Sequence, residues 1–364
     1  MRIDITPVRD WAALGATWRE LEARAAQLSF FQSWSWVGCL AEERFTNPVL
    51  LRASDGGTLL GLALFNRHRG RLHLTQSGDV MRDAAFIEHN APLTSGGPEV
   101  TAALLQAAAD QRGGLVLDGV PPDVLALAPG IAWRYQERLA PWLDLAAVRA
   151  RGGDHLAMLS ANTRYQIGRS VRQFESAGRL VVHRAESLAE AESMLGEMIV
   201  LHERVWQARG KPGAFAHPFM RRFHAALLAE AVPRGEVDLL RVQAGKNNLG
   251  ILYNFRLRQR ISAYQSGFDH SHDAAHGKPG LCCHVMAIKR GLAQGDMVYD
   301  FLGGADRYKR SLAGQTAPLL WAEMVPRWSP RGLLARVSKG WRSHLPMVRN
   351  TIRGRSASGG GGGA

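Results

Sequence analysis

The tightest constraint on this chain is a set of three apolar runs that follow one another almost without a break: "EVDLLRVQAG", "LGILYNFRLRQ" and "RISAYQSGFD". Only "GKNN" and "QR" separate them, and turns that short leave successive strands antiparallel. A meander of this kind needs a cover for its apolar face, and the flanking sequence supplies one on either side. Upstream lie the helix-period segments "LAEAESMLGEMIVLHERVWQARG" and "HPFMRRFHAALLAEAV"; downstream lie the helix "LCCHVMAIKRGLAQG", the strand "MVYDFL" and a basic, helix-like turn. Further upstream come the extended "WRYQERLAPWLDL", a helix through "TRYQIGRSVRQFESAG" capped by Ser160 or Asn162, and the strand "RLVVHRA".

The first part, to about residue 125, uses the same grammar. A helix "WAALGATWRELEARA" precedes strands in "PVLLRASDGGTLLGLALFNRHRGRLHLTQSG", and the helix "EVTAALLQAAADQRG" precedes the strand "GLVLDGV" and a Pro-Pro break. The predicted fold class is therefore α/β (α+β), with two tandem lobes, each a mixed, partly splayed sheet flanked by helices. The expected lobes span 1–127 and 128–328, followed by a basic amphipathic tail over 329–355 and a flexible Gly-rich end over 356–364. With 364 residues and 46% hydrophobic content there is material for two cores.

Composition narrows the setting. The three cysteines, Cys39, Cys282 and Cys283, are odd in number and two are neighbours, which argues against a disulfide framework and for a reducing cytoplasm. The opening "MRIDITPVRDWAALG" lacks the apolar stretch of a secretory signal, and no run approaches the roughly 18 apolar residues of a membrane span. Eight of the thirteen net positive charges lie after Glu323, where no acid remains, so a whole-chain nucleic-acid binder is a weak reading. In that tail Leu333, Leu334, Val337, Trp341, Leu345, Val348 and Ile352 recur at spacings of three or four with basic residues between them. Such a helix either packs back on the body or rests on an anionic surface, which would make the protein cytoplasmic and peripheral at the inner membrane.

The strand "MVYDFL" runs into "GGADRYKRSL". Two adjacent glycines let a backbone leave a strand sharply and approach a ligand closely, and a helix starting near Ala305 would turn unpaired N–H groups towards an anion. Tyr308 and Lys309 fall in that first turn. Tyr308 could protonate a leaving group and Lys309 could offer a point charge; the plain alternative is a packed tyrosine and a solvated lysine. Asp300, at the strand end, is either a base or amine anchor or a cap for the next helix. In "AYQSGFD", alternation puts Tyr264, Ser266 and Phe268 on one face and Gln265 and Gly267 on the other, with Asp269 at the end. His202 and Trp206 are i and i+4 on one helix face: a base, or a core histidine stacked on an aromatic ring. Trp206 and Phe215 suit stacking on a sugar or adenine, or filling a seam between lobes. Arg164, Arg169 and Arg172 form either a phosphate-recognising set or a solvated basic face. Cys282 and Cys283 sit in an apolar helix pattern and read as core. "DHSHDAAH" has the composition of a metal site without its framework, and no metal is expected.

The order of elements in the second half, with "NTRYQIGRSVRQF", "LHERVWQARGKPGAF", "AYQSGFD", "KPGLCCHVMAIKRGLAQG" and "YDFLGGADRYK", resembles the GNAT acyltransferases. With "FFQSWSW" and "DGGTLLGLALF" in the first half, the likeness runs over roughly residues 30 to 325. Within that superfamily the chain resembles the CelD-like, exopolysaccharide-associated branch related to the tandem-lobed Fem peptidyltransferases. The resemblance implies transfer of an acyl group from acyl-CoA or an acyl-carrier protein to an amine or hydroxyl of a small-molecule or saccharide acceptor. It implies a leaving-group acid at Tyr308; Asp300, Lys309, His202 and Asp269 join it as catalytic candidates on their own positions in the strands and helices. The acyl group would lie along the strand bearing Tyr264 and Gln265, with Gly280, Gly303, Gly304, Arg169 and Arg172 at the donor. Trp206, Phe215 and Arg164 would lie at the acceptor. One departure is that "HGKPG" stands where repeated glycines usually cradle the CoA pyrophosphate. A Fem-type aminoacyl transferase drawing on charged tRNA and a non-catalytic membrane-surface scaffold remain as alternatives.

Overall fold

A computed structural model describes residues 1–335 apart from 112, 272–276 and 305. In the first half the elements are β1 (Arg2–Pro7), α1 (Trp11–Arg24), the short α2 (Trp34–Val37) and α3 (Ala41–Arg44), β2 (Pro48–Asp55), β3 (Thr58–His68), β4 (Arg71–Leu74), β5 (Leu93–Thr94), α4 (Pro98–Ala109), β6 (Gly114–Val120) and α5 (Pro122–Ala126). The second half comprises β7 (Ile131–Asp144), α6 (Leu145–Ala150), α7 (Ala161–Glu175), β8 (Leu180–Arg184), α8 (Leu188–Ala208), α9 (Pro218–Ala231), β9 (Val237–Ala244), β10 (Asn247–Leu257), β11 (Arg260–Phe268), α10 (Pro279–Ala293), β12 (Val298–Asp300), α11 (Arg307–Leu312) and β13 (Gln315–Val325). Ser160 caps α7 by accepting the Thr163 N–H, and Ser187 caps α8 in the same way.

The strands form one continuous mixed sheet in the order β1-β2-β3-β4-β6-β13-β7-β12-β11-β10-β9-β8, with β5 added to β3. The joint is β13, which runs antiparallel to β6 on one side and β7 on the other. Its Pro318 pairs opposite Leu139 of β7, while pairing with β6 begins only at Leu320. The missing N–H thus falls where β13 has a partner on one side only, a position in which proline is tolerated. The halves also share a core: Phe30 stacks on Phe255 with ring centroids 4.0 Å apart, and Trp36 meets Phe223 edge-on at 5.1 Å. Helices α8 and α9 cover one face of the second half, and α7 and α10 the other.

Two irregularities open the sheet. Strands β11 and β12 are parallel but pair only at Arg260–Ser262 against Val298–Asp300, so among the described residues the β11 edge from Ala263 to Phe268 has no strand on that side. In the antiparallel pairing with β10, Ala263 stands opposite Asn254 and Gln265 opposite Tyr253, which makes Tyr264 the extra residue of a β-bulge. A bulge bends and twists its strand, and this one lies just where β11 parts from β12. It also corrects the alternation expected for "AYQSGFD". Tyr264 leaves the face of Ser266 and Phe268 and packs with Phe31, Trp36, His224 and Phe255, while Phe268 faces His284 of α10. Among the described residues no helix is long and apolar enough to cross a membrane. Of the expected basic tail only a helical turn at 330–335 is described; the remainder, like His272, Asp273 and His276, lies outside the described residues.

Candidate active site

The parting of β11 and β12 opens a cavity of about 800 Å³. Its walls are the free edge of β11, the first turns of α7 and α10, the last turn of α8, the segment from Leu302 through α11, and Phe86, Glu88 and Arg138 from elsewhere in the sheet. Tyr308, Lys309, His202, Trp206, Tyr264, Gln265, Gly280 and Gly303 all line it.

Tyr308 stacks on the neutral ring of His284, centroids 5.2 Å apart and planes 24° off parallel, and its hydroxyl makes no hydrogen bond among the described residues. Burial holds the phenol well above its ordinary pKa, so it stays protonated and can act as a donor. His284 is pushed down to about 3 by burial and then by the charge of Lys309. Its Nδ1 lies 2.9 Å from the Tyr299 hydroxyl, and its Nε2 has no partner among the described residues. Lys309 donates to the Gly303 carbonyl at 3.0 Å, and burial lowers its pKa. The turn before α11 uses its two glycines differently. Gly304 adopts φ +141°, whereas at Gly303 a Cβ would stand 2.8 Å from Glu88 Oε1. Glycine there lets a carboxylate from the first half close to 2.5 Å of the Gly303 N–H. The expected helix start near residue 305 is instead at Arg307, and α11 has only six residues. The longer α10 brings its N-terminus to the cavity at Pro279, Gly280 and Leu281, with the unpaired donors that suit an anion. Arg138, Arg209, Lys278, Arg307 and Lys309 outnumber Glu88 and Asp306 on the described walls, which also favours an anionic ligand.

Other expected site residues stand elsewhere. Asp300 is 1% exposed and does not line the cavity. It pairs with His89 Nε2 and Arg260 Nη1, each at 2.8 Å, and accepts the Leu302 N–H at 2.8 Å. Burial would raise its pKa, but His89 and Arg260 bring it below the usual value; it braces the strand end. His202 meets Trp206 as expected, at 5.9 Å, but both its nitrogens are engaged by backbone. The Ala214 N–H donates to Nε2 at 3.3 Å, which leaves Nδ1–H to donate to the Ser266 carbonyl at 3.1 Å. Neither nitrogen is left to act as a base. Phe215 is 0% exposed in the core and cannot stack on a substrate. Arg164 donates to the Leu159 carbonyl at 2.5 Å. Arg169 and Arg172 on α7, Gly304 and Asp269 are not among the lining residues, and Asp269 accepts the Ser271 N–H at 2.9 Å. Cys282 and Cys283 are fully buried, and burial raises both thiols. Sequence reasoning missed Glu88, Arg138, Gln166, Lys278 and His284. Only His284 carried a local signal, a polar residue in the apolar register of α10.

Residues 161–310 match the family model described as Acetyltransferase (GNAT) domain. The chain thus carries a GNAT acetyltransferase domain and is an enzyme of the N-acyltransferase class. Among solved structures it is similar over nearly its whole length to FemX (TM-score 0.57, 10% identity, covering 92% of this chain and 99% of that one). It is similar as well to a conserved protein of unknown function from Bacteroides thetaiotaomicron (0.54, 11%, 89% and 100%) and to L-PGS from Bacillus licheniformis (0.51, 13%, 88% and 96%). At these identities the likeness is one of fold. No curated protein matches by sequence.

Proposed function

We propose that the cavity between β11 and β12 takes an acyl thioester, with acyl-CoA as donor and an acyl-carrier protein as the next choice, and transfers the acyl group to a small-molecule or saccharide acceptor. The observation that carries this reading is that the free edge of β11 and Tyr308, whose hydroxyl is unbonded among the described residues, line the same cavity. An acyl carbonyl laid along that edge finds backbone N–H groups for its oxyanion, and the departing sulfur finds a protonated phenol. The cationic walls and the α10 N-terminus suit the donor's phosphates. In this reading the lobes over 1–127 and 128–328 work as one unit in the cytoplasm. The CelD-like resemblance suggests an acceptor from envelope or exopolysaccharide assembly.

The test is Tyr308→Phe, assayed by thiol release from acetyl-CoA. Because the hydroxyl bonds nothing among the described residues, the fold and the donor KM should hold, while kcat falls roughly 10²- to 10⁴-fold. An unchanged kcat would remove Tyr308 from the mechanism. A second reading, Fem-type transfer from charged tRNA, is favoured by the FemX-like fold and by "HGKPG" in place of a glycine-rich phosphate loop. It predicts activity that collapses as salt rises from about 50 to 200 mM.

A further inference from the structure

One cation on the cavity wall is positioned but not bonded. Arg138 of β7 stands opposite Leu319 of β13, which sets it diagonal to Trp321 on the same face of the sheet. Its Cζ lies 4.6 Å from the centroid of the Trp321 ring and 5.8 Å from that of Phe86, which reaches it from the segment between β4 and β5. Rings placed in this way engage the flat faces of a guanidinium and leave its N–H edges open. Those edges make no hydrogen bond or ion pair among the described residues, and Asp118 of β6 acts on the charge only through space. The other cations of the wall differ. Lys309 is spent on the Gly303 carbonyl and Lys278 Nζ on Gln166 Oε1, at 2.7 Å, while Arg209 and Arg307 are exposed. Among the described lining residues, Arg138 alone is a half-buried cation with unspent donors.

Its place in the fold separates it from the N-terminus of α10. Strands β11 and β12 part beyond Ser262 and Asp300, and α10 begins at the far end of β11, where a Cβ on Gly280 would stand 3.0 Å from the Phe268 ring. Arg138 is on the other arm. Strand β7 runs on past its pairing with Asp300 at Trp142, and its Leu139 carbonyl accepts the Gly304 N–H at 3.1 Å, beside the turn that leads to Tyr308. We infer that Arg138 sets specificity for the acceptor, and that the acceptor carries a carboxylate docked in plane on the guanidinium edge. This rests on the acyl-transfer reading and narrows its acceptor from small molecules and saccharides at large to those that bear a carboxylic acid. The two oxygens of a carboxylate match the guanidinium fork in spacing and plane. A phosphate dianion fits less well, because Glu88 shares the wall and Asp118 lies near, so one cation there already stands against two acids. With Trp321 and Phe86 fixing the fork beforehand, little side-chain freedom is left to lose on binding.

The probes are matched sets offered with acetyl-CoA: ethanolamine, β-alanine and phosphoethanolamine as amines, and glucose against glucuronate as alcohols. In the wild type the carboxylate member of at least one set should exceed its neutral counterpart in kcat/KM roughly 10- to 100-fold, through KM more than kcat. Arg138→Gln should erase that ratio, and Arg138→Lys, which keeps the charge and loses the fork, should recover only part of it. The guanidinium bonds nothing among the described residues, so both variants should fold as the wild type. Calorimetry reads binding apart from turnover: β-alanine or glucuronate should bind the wild type and not Arg138→Gln, with the same Kd for acetyl-CoA in both proteins. A weaker Kd for acetyl-CoA in Arg138→Gln would assign the residue to the donor's phosphates and overturn the inference. So would equal kcat/KM for neutral and carboxylate probes, a preference for phosphoethanolamine, or a wild type that binds neither carboxylate. Carboxylate binding lost in Arg138→Gln, with acetyl-CoA neither bound nor consumed by the wild type, would keep the anion site and sink the acyl-CoA reading instead.

Discussion

Replacing Asp300 by Asn separates a structural brace from a catalytic base. The carboxylate is buried against His89 and Arg260 and also receives the Leu302 N–H. Asparagine can keep the Leu302 bond, worth about 1 kcal/mol, but not the two ionic ones. Removing one partner of a buried pair costs about 3–5 kcal/mol, and the partial exposure of Arg260 and His89 places this case near the lower end, about 3 kcal/mol. For a chain of 364 residues that is a drop in Tm of roughly 4 °C. The loss has a pH signature. Burial opposes the charge on His89, but Asp300 raises its pKa above 6.5, so its contribution is fully present below pH 6.5 and fades as pH rises through the folded value. The Asp300 carboxylate is held below its ordinary 3.8, so its own contribution persists above that value and disappears only on acidification through the lower folded one. Urea denaturation at pH 5.5 and 8.5 should therefore give a larger wild-type-minus-mutant difference at pH 5.5. Equal differences at both, or a stable Asp300→Asn protein with lost turnover, would refute the brace and return Asp300 to the chemistry.

Two further outcomes rest on the geometry. Gly267 lies directly beneath α8, where an added Cβ would press on the Met198 carbonyl oxygen and stand 2.8 Å from Leu201 Cβ. Gly267→Ala should cost about 1–3 kcal/mol by overpacking, measured by denaturant titration, and a neutral result would mean that α8 shifts freely. Arg209 sits on the cavity wall. Arg209→Glu should raise the KM for acetyl-CoA ~3- to 10-fold with kcat nearly unchanged, an effect that shrinks at high salt; an unaltered KM would take the donor phosphates away from this wall.

Much of the second half was legible because its periodicity is local. The meander, the two long helices before it, the Ser160 cap and the strand–turn–helix at Gly303 and Tyr308 are written in spacings that each segment carries for itself. Strand β13 was not legible: "QTAPLLWAEMV" has a proline that argues against a central strand, and only the pairing shows that Pro318 has a neighbour on one side alone. The bulge at Tyr264 was equally hidden, since it depends on the register against β10. The site divides in the same way. Tyr308, Gly303 and Gln265 could be nominated because they accompany strand patterns, whereas Glu88 comes from an irregular loop and acquires meaning only 215 residues later, at the Gly303 N–H.

The sequence by itself determined most helices and strands of the second half, β13 excepted, and which turn would border the cavity, since these depend on short-range spacing and backbone permissiveness. Tertiary structure alone decided that β13 joins both halves into one sheet, that Asp300 and His202 are consumed by structural bonds, and that a carboxylate from the first half faces the cavity. Those outcomes depend on which distant groups meet and on how burial then reshapes their charge, and no local pattern in a chain encodes either.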